Sequence, residues 1–548
     1  MKLKPAGIEE IMRFLIREAV VFPTAEIYSS KQAFSGFYTF GHLGTLLVEE
    51  IKRLWRRRFI WSKERVYEIS GSILTPTIVW KASGHLDSFW DPIVFCTRCN
   101  RTFRADHLIE EKLNLKAEGK SVDELTEIIR SNGLKCPVCG GVLSDVRRHY
   151  LMFKTKVGVS VEDNAVLRPE TAQVIFLSYP RIRNVFGKPP FGIAQIGRSY
   201  RNEISPRRGL FRLREFEQME IEYFVLRDAK CIPFSREEAE RKGIVGEDLR
   251  YRPKCMDCKR CQVNNCPYFT EEYRKTLLRI LTREAQLKGS EEVVEITADE
   301  AVKRGILPNE WMAYVLAEEV RFLTEDLGVP FNAIRFREML PEETPHYSAG
   351  NFDLEICFSF GWKEIVGNAY RTDYDLTKHM KMSGVKMLEE VNGVKVVPHV
   401  IEPSIGIERT ILTILSYAYV KAKVDRKYDW LKLHRKVAPV KAAVLPLMMP
   451  REYAREESKI ARDIWRRLCE ETEYHIVYDE KGSIGSRYKR YDQWGVPYCI
   501  TVDADTMRDN TVTIRDRDTR KQVRVKLEKI PAIVTNLIKG RIKFSHLE

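Results

Sequence analysis

Apolar positions recur at helical spacing near the start of the chain. Residues 42–59, HLGTLLVEEIKRLWRRRF, place Leu43, Leu46, Leu47, Ile51, Leu54, Trp55 and Phe59 on one stripe, with Glu49, Glu50, Lys52, Arg53 and Arg56 to Arg58 mostly elsewhere. This predicts a long amphipathic helix whose stripe either packs on a core or joins two copies of the chain. Between residues 192 and 224 the period becomes two, and the pattern predicts two strands joined by a loop that holds Pro206 and Gly209 among Arg207, Arg208, Arg212 and Arg214. Alternation puts Arg201 and Glu203 on one face of the first strand. In the second, Phe216, Gln218, Glu220 and Glu222 share a face opposite Met219, Ile221 and Tyr223. A large Phe216 among polar residues, facing a basic loop, reads as a binding face rather than a solvated one. Residues 270–327, with YRKTLLRILTREAQL and WMAYVLAEEVRFLTEDL, predict an inserted helical module. From residue 437 onward strand-like and helix-like segments alternate, which predicts a compact α/β domain with a largely parallel sheet and a basic patch including Arg487, Lys489 and Arg490.

At 548 residues the chain divides into several domains. It has no apolar run near the roughly 18–20 residues of a membrane span. The opening MKLKPAGIEEIMRF lacks a signal-peptide core, so a cytoplasmic protein is expected. A net charge of +14 points to a polyanionic partner, nucleic acid above all, although a thermophile's charged surface gives the same sign. The twelve cysteines fall mostly in C-x-x-C pairs, which in a reducing compartment indicate metal sites. Cys96, Cys99, Cys136 and Cys139 form two thiolate pairs suited to structural zinc, with no open position left for catalysis. Cys255, Cys258, Cys261 and Cys266, in CMDCKRCQVNNC, suit a second zinc, an iron–sulfur cluster or free thiols. Cys231, Cys357, Cys469 and Cys499 stand apart and read as buried thiols.

YRNE followed by RLREF resembles the second signature motif of the class II aminoacyl-tRNA synthetases, and IEPSIGIER at 401–409 resembles the third. GFYTFGHLGTLLVEEIKRLWRRRFI, SGHLDSFWDP, LRPETAQ, REFEQMEIE and EIVGNAYRTDYDL further resemble the homodimeric glycyl-tRNA synthetases of archaeal and eukaryotic type. His42 departs from the pattern, which has proline there. The resemblance implies an α+β multidomain protein: an antiparallel β-sheet catalytic core flanked by helices, zinc-ribbon-like and helical insertions, and a C-terminal α/β anticodon-binding domain. The catalytic core is expected at 1–95 (with a dimer-interface helix), 150–230 and 341–436. A zinc-binding insertion carrying the first four cysteines is expected at 96–149, a helical module with the second cysteine cluster at 231–340, and the anticodon-binding domain at 437–548.

The resemblance also implies roles. Arg201 and Arg409 are the expected catalytic arginines, the first on the α-phosphate of ATP, where charge builds up as the glycine carboxylate attacks. ATP is expected to contact Asn202, Glu203, Phe211, Arg212, Leu213, Phe216, Ile365 and Gly406. In that picture Phe216 and Arg409 sandwich adenine. Apart from the resemblance, Glu364 in the strand-like WKEIVG is the candidate ATP-side acid for Mg²⁺, with Arg371 a candidate phosphate contact, and either suits a surface charge on a strand as well. Glycine is expected to meet Arg104, Glu170, Phe216, Gln218, Glu220, Glu402 and Ser404. Read alone, Glu170 and Glu402 suit helix caps equally well, and Arg104 suits a surface site. No general base is required, since the attacking carboxylate is already ionised. No editing domain is required either, since no amino acid is smaller than glycine. The implied partners are tRNA(Gly), glycine, ATP with Mg²⁺, structural Zn²⁺ and a second copy of the chain, with no membrane.

Overall fold

A computed structural model describes residues 4–28, 35–117, 119–159, 164–206, 208–226, 265–341, 343–345, 347–391, 394–448 and 452–547. Its centre is a nine-stranded sheet. The strands are, in chain order, β1 (Val66–Ile69), β2 (Phe191–Tyr200), β3 (Glu215–Val225), β4 (Leu277–Leu281), β5 (Val294–Thr297), β6 (Ile334–Glu338), β7 (Asn351–Phe358), β8 (Gly361–Thr372) and β9 (His399–Gly406). Across the sheet they run β5-β4-β6-β7-β8-β9-β3-β2-β1. All neighbours are antiparallel except β1 with β2 and β4 with β6.

Helix α1 (His42–Trp55) continues as a wider helical turn over Arg56–Trp61. Its stripe of Leu43, Leu47, Ile51, Leu54, Trp55 and Phe59 is buried in the main core of its own chain. Of the two readings the pattern left open, the stripe packs on a core. Helix α2 (Ala172–Phe186) covers the sheet near β2 and β3.

The stretch expected to be an inserted helical module differs from that expectation. The run at 277–281 is strand β4, and it ends where Thr282 caps a short helix by accepting from the Ala285 N–H at 3.3 Å. Five apolar-rich residues between two threonines suit a buried strand as well as one helical turn, and pairing with β5 and β6 decides the matter. Helix α3 (Glu310–Arg321) is buried on nearly every side and belongs to the main core. Of the second cysteine cluster only Cys266 lies within the described residues, buried in that core, and burial pushes its thiol up. Cys255, Cys258 and Cys261 lie outside them, as does Cys231. Cys499 is buried, Cys357 half-buried and Cys469 exposed, so the last is not the buried thiol expected.

Helix α4 (Ile407–Ala418) follows β9 directly and seats one face on α1. The C-terminal sheet has β10 (Ala442–Pro446), β11 (Ile476–Tyr478), β12 (Tyr498–Val502), β13 (Thr511–Asp516) and β14 (Gln522–Lys526), in the order β11-β10-β12-β13-β14. It is mixed rather than largely parallel. β10 is parallel to β11 and β12, but the tight turn after Asp516, whose carboxylate accepts from the Thr519 N–H at 2.7 Å, folds β13 and β14 into a hairpin. Helices α5 (Ala454–Glu471), α6 (Ile484–Gln493) and α7 (Ile530–Lys539) complete the domain. The basic patch expected on α6 is not one. Arg487 is fully buried and donates to the carbonyls of Pro446 and Asp479, Arg490 pairs with Asp479, and only Lys489 is exposed.

Candidate active site

β8, β9 and β3, neighbours at the middle of the large sheet, floor a cleft of about 320 Å³ on one of its faces. Its floor follows from register. Glu220 on β3 lies opposite Ser404 on β9, Gln218 opposite Gly406, and on the other side of β9 Glu402 faces Ala369 of β8. The polar face predicted for β3 therefore continues across two more strands, and small residues at 367, 369 and 406 leave room above it. β2 stops pairing at Tyr200, opposite Glu215. Arg201 and Glu203 thus lie past the strand end rather than on its face, and the chain there is held by an Arg201 N–H to Arg214 carbonyl bond of 2.9 Å.

One end of the cleft is acidic. Glu170, Glu220 and Glu402 all line it, with Gln218 and Ser404, whose hydroxyl accepts from the Gln218 amide at 3.0 Å. Burial, followed by the charges of Glu402 and Glu170, pushes the Glu220 carboxyl well above the usual range, and the Thr171 hydroxyl donates to it. Glu170 goes the other way. Despite burial, His85 at 3.4 Å, Arg371 and the Gln173 amide hold it well below the ordinary carboxylate value. Glu402 accepts from Arg371 at 2.8 Å, and the same guanidinium grips Asp375 through two bonds of 2.7 and 2.9 Å. Arg371 is therefore not placed for a phosphate. It is only 1% exposed and anchors Glu402 from beneath. Glu222, on the same face of β3 beyond Glu220, is fully buried outside the lining, with both carboxylate oxygens lacking a hydrogen-bond partner among the described residues.

The other end is basic and aromatic. Arg201, Glu203, Phe211, Arg212, Leu213, Phe216, Glu364, Ile365, Gly406 and Arg409 line it. Arg201 lies over the Phe216 ring at 5.3 Å and donates to the Pro169 carbonyl at 3.1 Å. Arg212 donates to Glu203 at 2.6 Å. Arg409 opens helix α4 beside the turn at 209–211, so it packs on Phe211 at 4.9 Å rather than across from Phe216, and donates to the Glu364 carbonyl at 3.0 Å. Two expected contacts fall outside the lining. The backbone of Asn202 is tied to Leu151 and His149, and Arg104 is clamped by Asp91 at 3.0 Å and by Asp106.

The cleft thus joins an acid-lined end to an arginine-lined slot. The anticodon binding domain family matches residues 441–537. Over nearly the whole chain the sequence is similar to the glycine–tRNA ligase of Pyrococcus furiosus, at 40% identity across 97% of this chain and 99% of that one. The glycine–tRNA ligases of Methanocaldococcus jannaschii (37%, across 98% and 99%) and Aeropyrum pernix (37%, across 95% and 95%) match likewise.

The chain belongs to the glycine–tRNA ligases.

Several residues of this ligase's cleft carry no signal that the sequence reading used. His85 buttresses Glu170 and is itself fixed by the Ser83 hydroxyl at 2.8 Å, and SGHLDSFWDP was read only for resemblance. Asp353 and Asn351 line the cleft from β7, a strand that carries none of the motifs of the resemblance. Burial, then the nearby Glu364 charge, pushes Asp353 up to about 8, and burial pushes Glu408 up to about 7. Tyr347 closes the acidic end, its ring against Arg371 at 4.0 Å.

In the ligase's small separate core between Val94 and Val146, the four thiols Cys96, Cys99, Cys136 and Cys139 come within 4.8 Å of one another. The two turns match. Asn100 N–H bonds to the Cys96 carbonyl and Gly140 N–H to the Cys136 carbonyl, each at 2.9 Å, with Asn100 and Gly140 both left-handed. A Cβ at Gly141 would stand 2.8 Å from Cys96 Sγ, so only glycine admits the thiol cluster. Among the described residues no helix is long and apolar enough to cross a membrane.

Proposed function

We propose that the cleft joins glycine to ATP and passes the glycyl group to tRNA(Gly). The observation that carries this reading is the trio Glu170, Glu220 and Glu402 at the closed end of a slot whose open end holds Arg201, Arg212 and Arg409. Three carboxylates around one small cation hold the glycine ammonium by charge-assisted bonds, and Tyr347 with Phe216 leaves little room for a side chain. The glycine carboxylate then points to the open end. One of its oxygens attacks the α-phosphorus of ATP and the bond to pyrophosphate breaks. Arg201 stabilises the charge building on the α-phosphate oxygens, with Arg212 and Arg409 on the outer phosphates. In the second step the terminal ribose hydroxyl of tRNA attacks the carbonyl carbon and AMP leaves. Glu364 with Asp353 would hold Mg²⁺, which would supply charge neutralisation for the phosphates.

The four thiols fit structural zinc. Tetrahedral Zn–S bonds place sulfurs about 3.8 Å apart, and Cys96 to Cys139 and Cys99 to Cys136 measure 3.4 and 3.7 Å. Residues 437–548 would bind the anticodon, the chain would work as a homodimer in the cytoplasm, and with the stripe of α1 spent internally the dimer must use other surface. Amino-acid-dependent ATP–pyrophosphate exchange across all twenty amino acids tests the assignment: exchange with glycine alone is expected, and exchange driven by another amino acid and not by glycine would overturn it.

A further inference from the structure

A second cavity, of about 390 Å³, lies in the crease between the catalytic core and the C-terminal domain. Its walls are the end of α1 and the turn after it, the segment around Asp326, the linker at Lys436, and the C-terminus of α7. The cations lining it divide in two. Arg53 is committed to Glu50 at 2.7 Å, Arg58 to Glu318, Glu325 and Asp326, and Lys436 to Asp326 at 2.8 Å. Arg57, Lys539 and Arg541 are exposed, and none has a side-chain partner among the described residues. Against these three stands one further lining acid, Glu473. The surplus is reinforced at the same helix end by Arg435, packed on Gly540, whose Nε has no partner among the described residues. Three unpaired cations on two domains repel one another across the crease, so the arrangement favours an anion that touches both walls.

We infer that this crease binds backbone phosphates of tRNA through Arg57, Lys539 and Arg541, clamping catalytic core and C-terminal domain onto one RNA. The inference rests on the tRNA-ligase reading and adds to it a phosphate site that shares no lining residue with the cleft. Phosphodiesters are the shared chemistry with small polyphosphates, and RNA is favoured because the cations are exposed and spread over two domains instead of enclosing one compact ion.

The test is the triple variant R57A/K539A/R541A in the full chain, with tRNA affinity measured at several salt concentrations beside pyrophosphate exchange and tripolyphosphate titration. All three positions are exposed, so folding and glycine-dependent exchange are expected to stay at the wild-type level. Affinity for tRNA is expected to fall at least tenfold, and the slope of log affinity against log salt to shrink by about 2–3, close to one per cation removed. An unchanged slope and affinity in the variant would overturn the inference while wild-type charging of tRNA leaves the ligase reading standing. Loss of tripolyphosphate binding with tRNA binding intact would instead assign the crease to a small polyphosphate and overturn the RNA assignment. A wild-type chain that fails to charge tRNA would point to the ligase reading itself.

Discussion

Glu220 and Glu170 sit in one pocket with opposite proton preferences, because buried Glu170 has His85, Arg371 and the Gln173 amide beside it whereas Glu220 has mainly burial and other carboxylates. A carboxyl pushed up holds its proton to higher pH than an ordinary carboxyl does, and a glycine ammonium beside it favours the ionised form, so binding glycine to the protonated site releases that proton. The sign follows: raising the pH removes the proton in advance, so KM for glycine should fall as pH rises above the ordinary carboxylate range. Glu220→Gln cannot lose a proton there and should flatten the profile while raising KM. A wild-type KM independent of pH above that range would contradict this linkage. Arg371 invites a second substitution, because it holds Glu402 and Asp375 with separate bonds. Arg371→Lys keeps the charge but loses the two-pronged geometry, and KM for glycine should rise roughly tenfold, about 1.4 kcal/mol, with KM for ATP unchanged. Equal losses for both substrates would show general damage to the fold.

At the level of elements, legibility followed pattern and motif together. β3 could be read because one face is apolar and the other polar, so Phe216, Gln218, Glu220 and, in the loop before it, Arg212 could be named from spacing and resemblance. β7 alternates in the same way, with Phe352, Leu354 and Ile356 on one side and Asn351, Asp353 and Glu355 on the other, but it carries none of the motifs of the resemblance, and period two alone does not tell a cleft strand from any other. β4 was mistaken for helix because five residues are too few to separate the two periods. Arg487 read as part of a basic patch because nothing in sequence shows that its guanidinium is spent on two backbone carbonyls. The cysteine turns were the opposite case, since a C-x-x-C repeat prescribes its own geometry. If they hold zinc, one ion per chain should appear by elemental analysis, and Cys136→Ser should lower zinc content and loosen the core around Leu125 and Ile129. Fully active protein without zinc would dismiss the metal.

At the scale of the whole molecule, the C-terminal domain is not an appendage. Val437, Ala438, Val440, Ala443, Leu445 and Cys499 belong to the same apolar core as α1 and α4. Buried Lys441 reaches back to Glu50 at 2.8 Å, and burial pulls its ammonium down to about 8. From the hairpin side, Arg517 donates to the Leu433 carbonyl and stacks, with Arg426, on Trp430. Sequence spacing placed a boundary near residue 437 but gave no sign of this shared core, because the residues that join the two parts lie far apart along the chain. Cutting there would leave Glu50 with its Arg53 bond alone and expose Trp430, Leu431 and Leu433, at a cost of about 1.5–3 kcal/mol per large apolar side chain uncovered. A chain ending at residue 436 should therefore melt several degrees lower than the full chain and lose much of its glycine-dependent exchange along with tRNA charging. An unchanged melting temperature with full exchange and no charging would show instead that the domain serves tRNA alone and that its contacts with the core add nothing to stability.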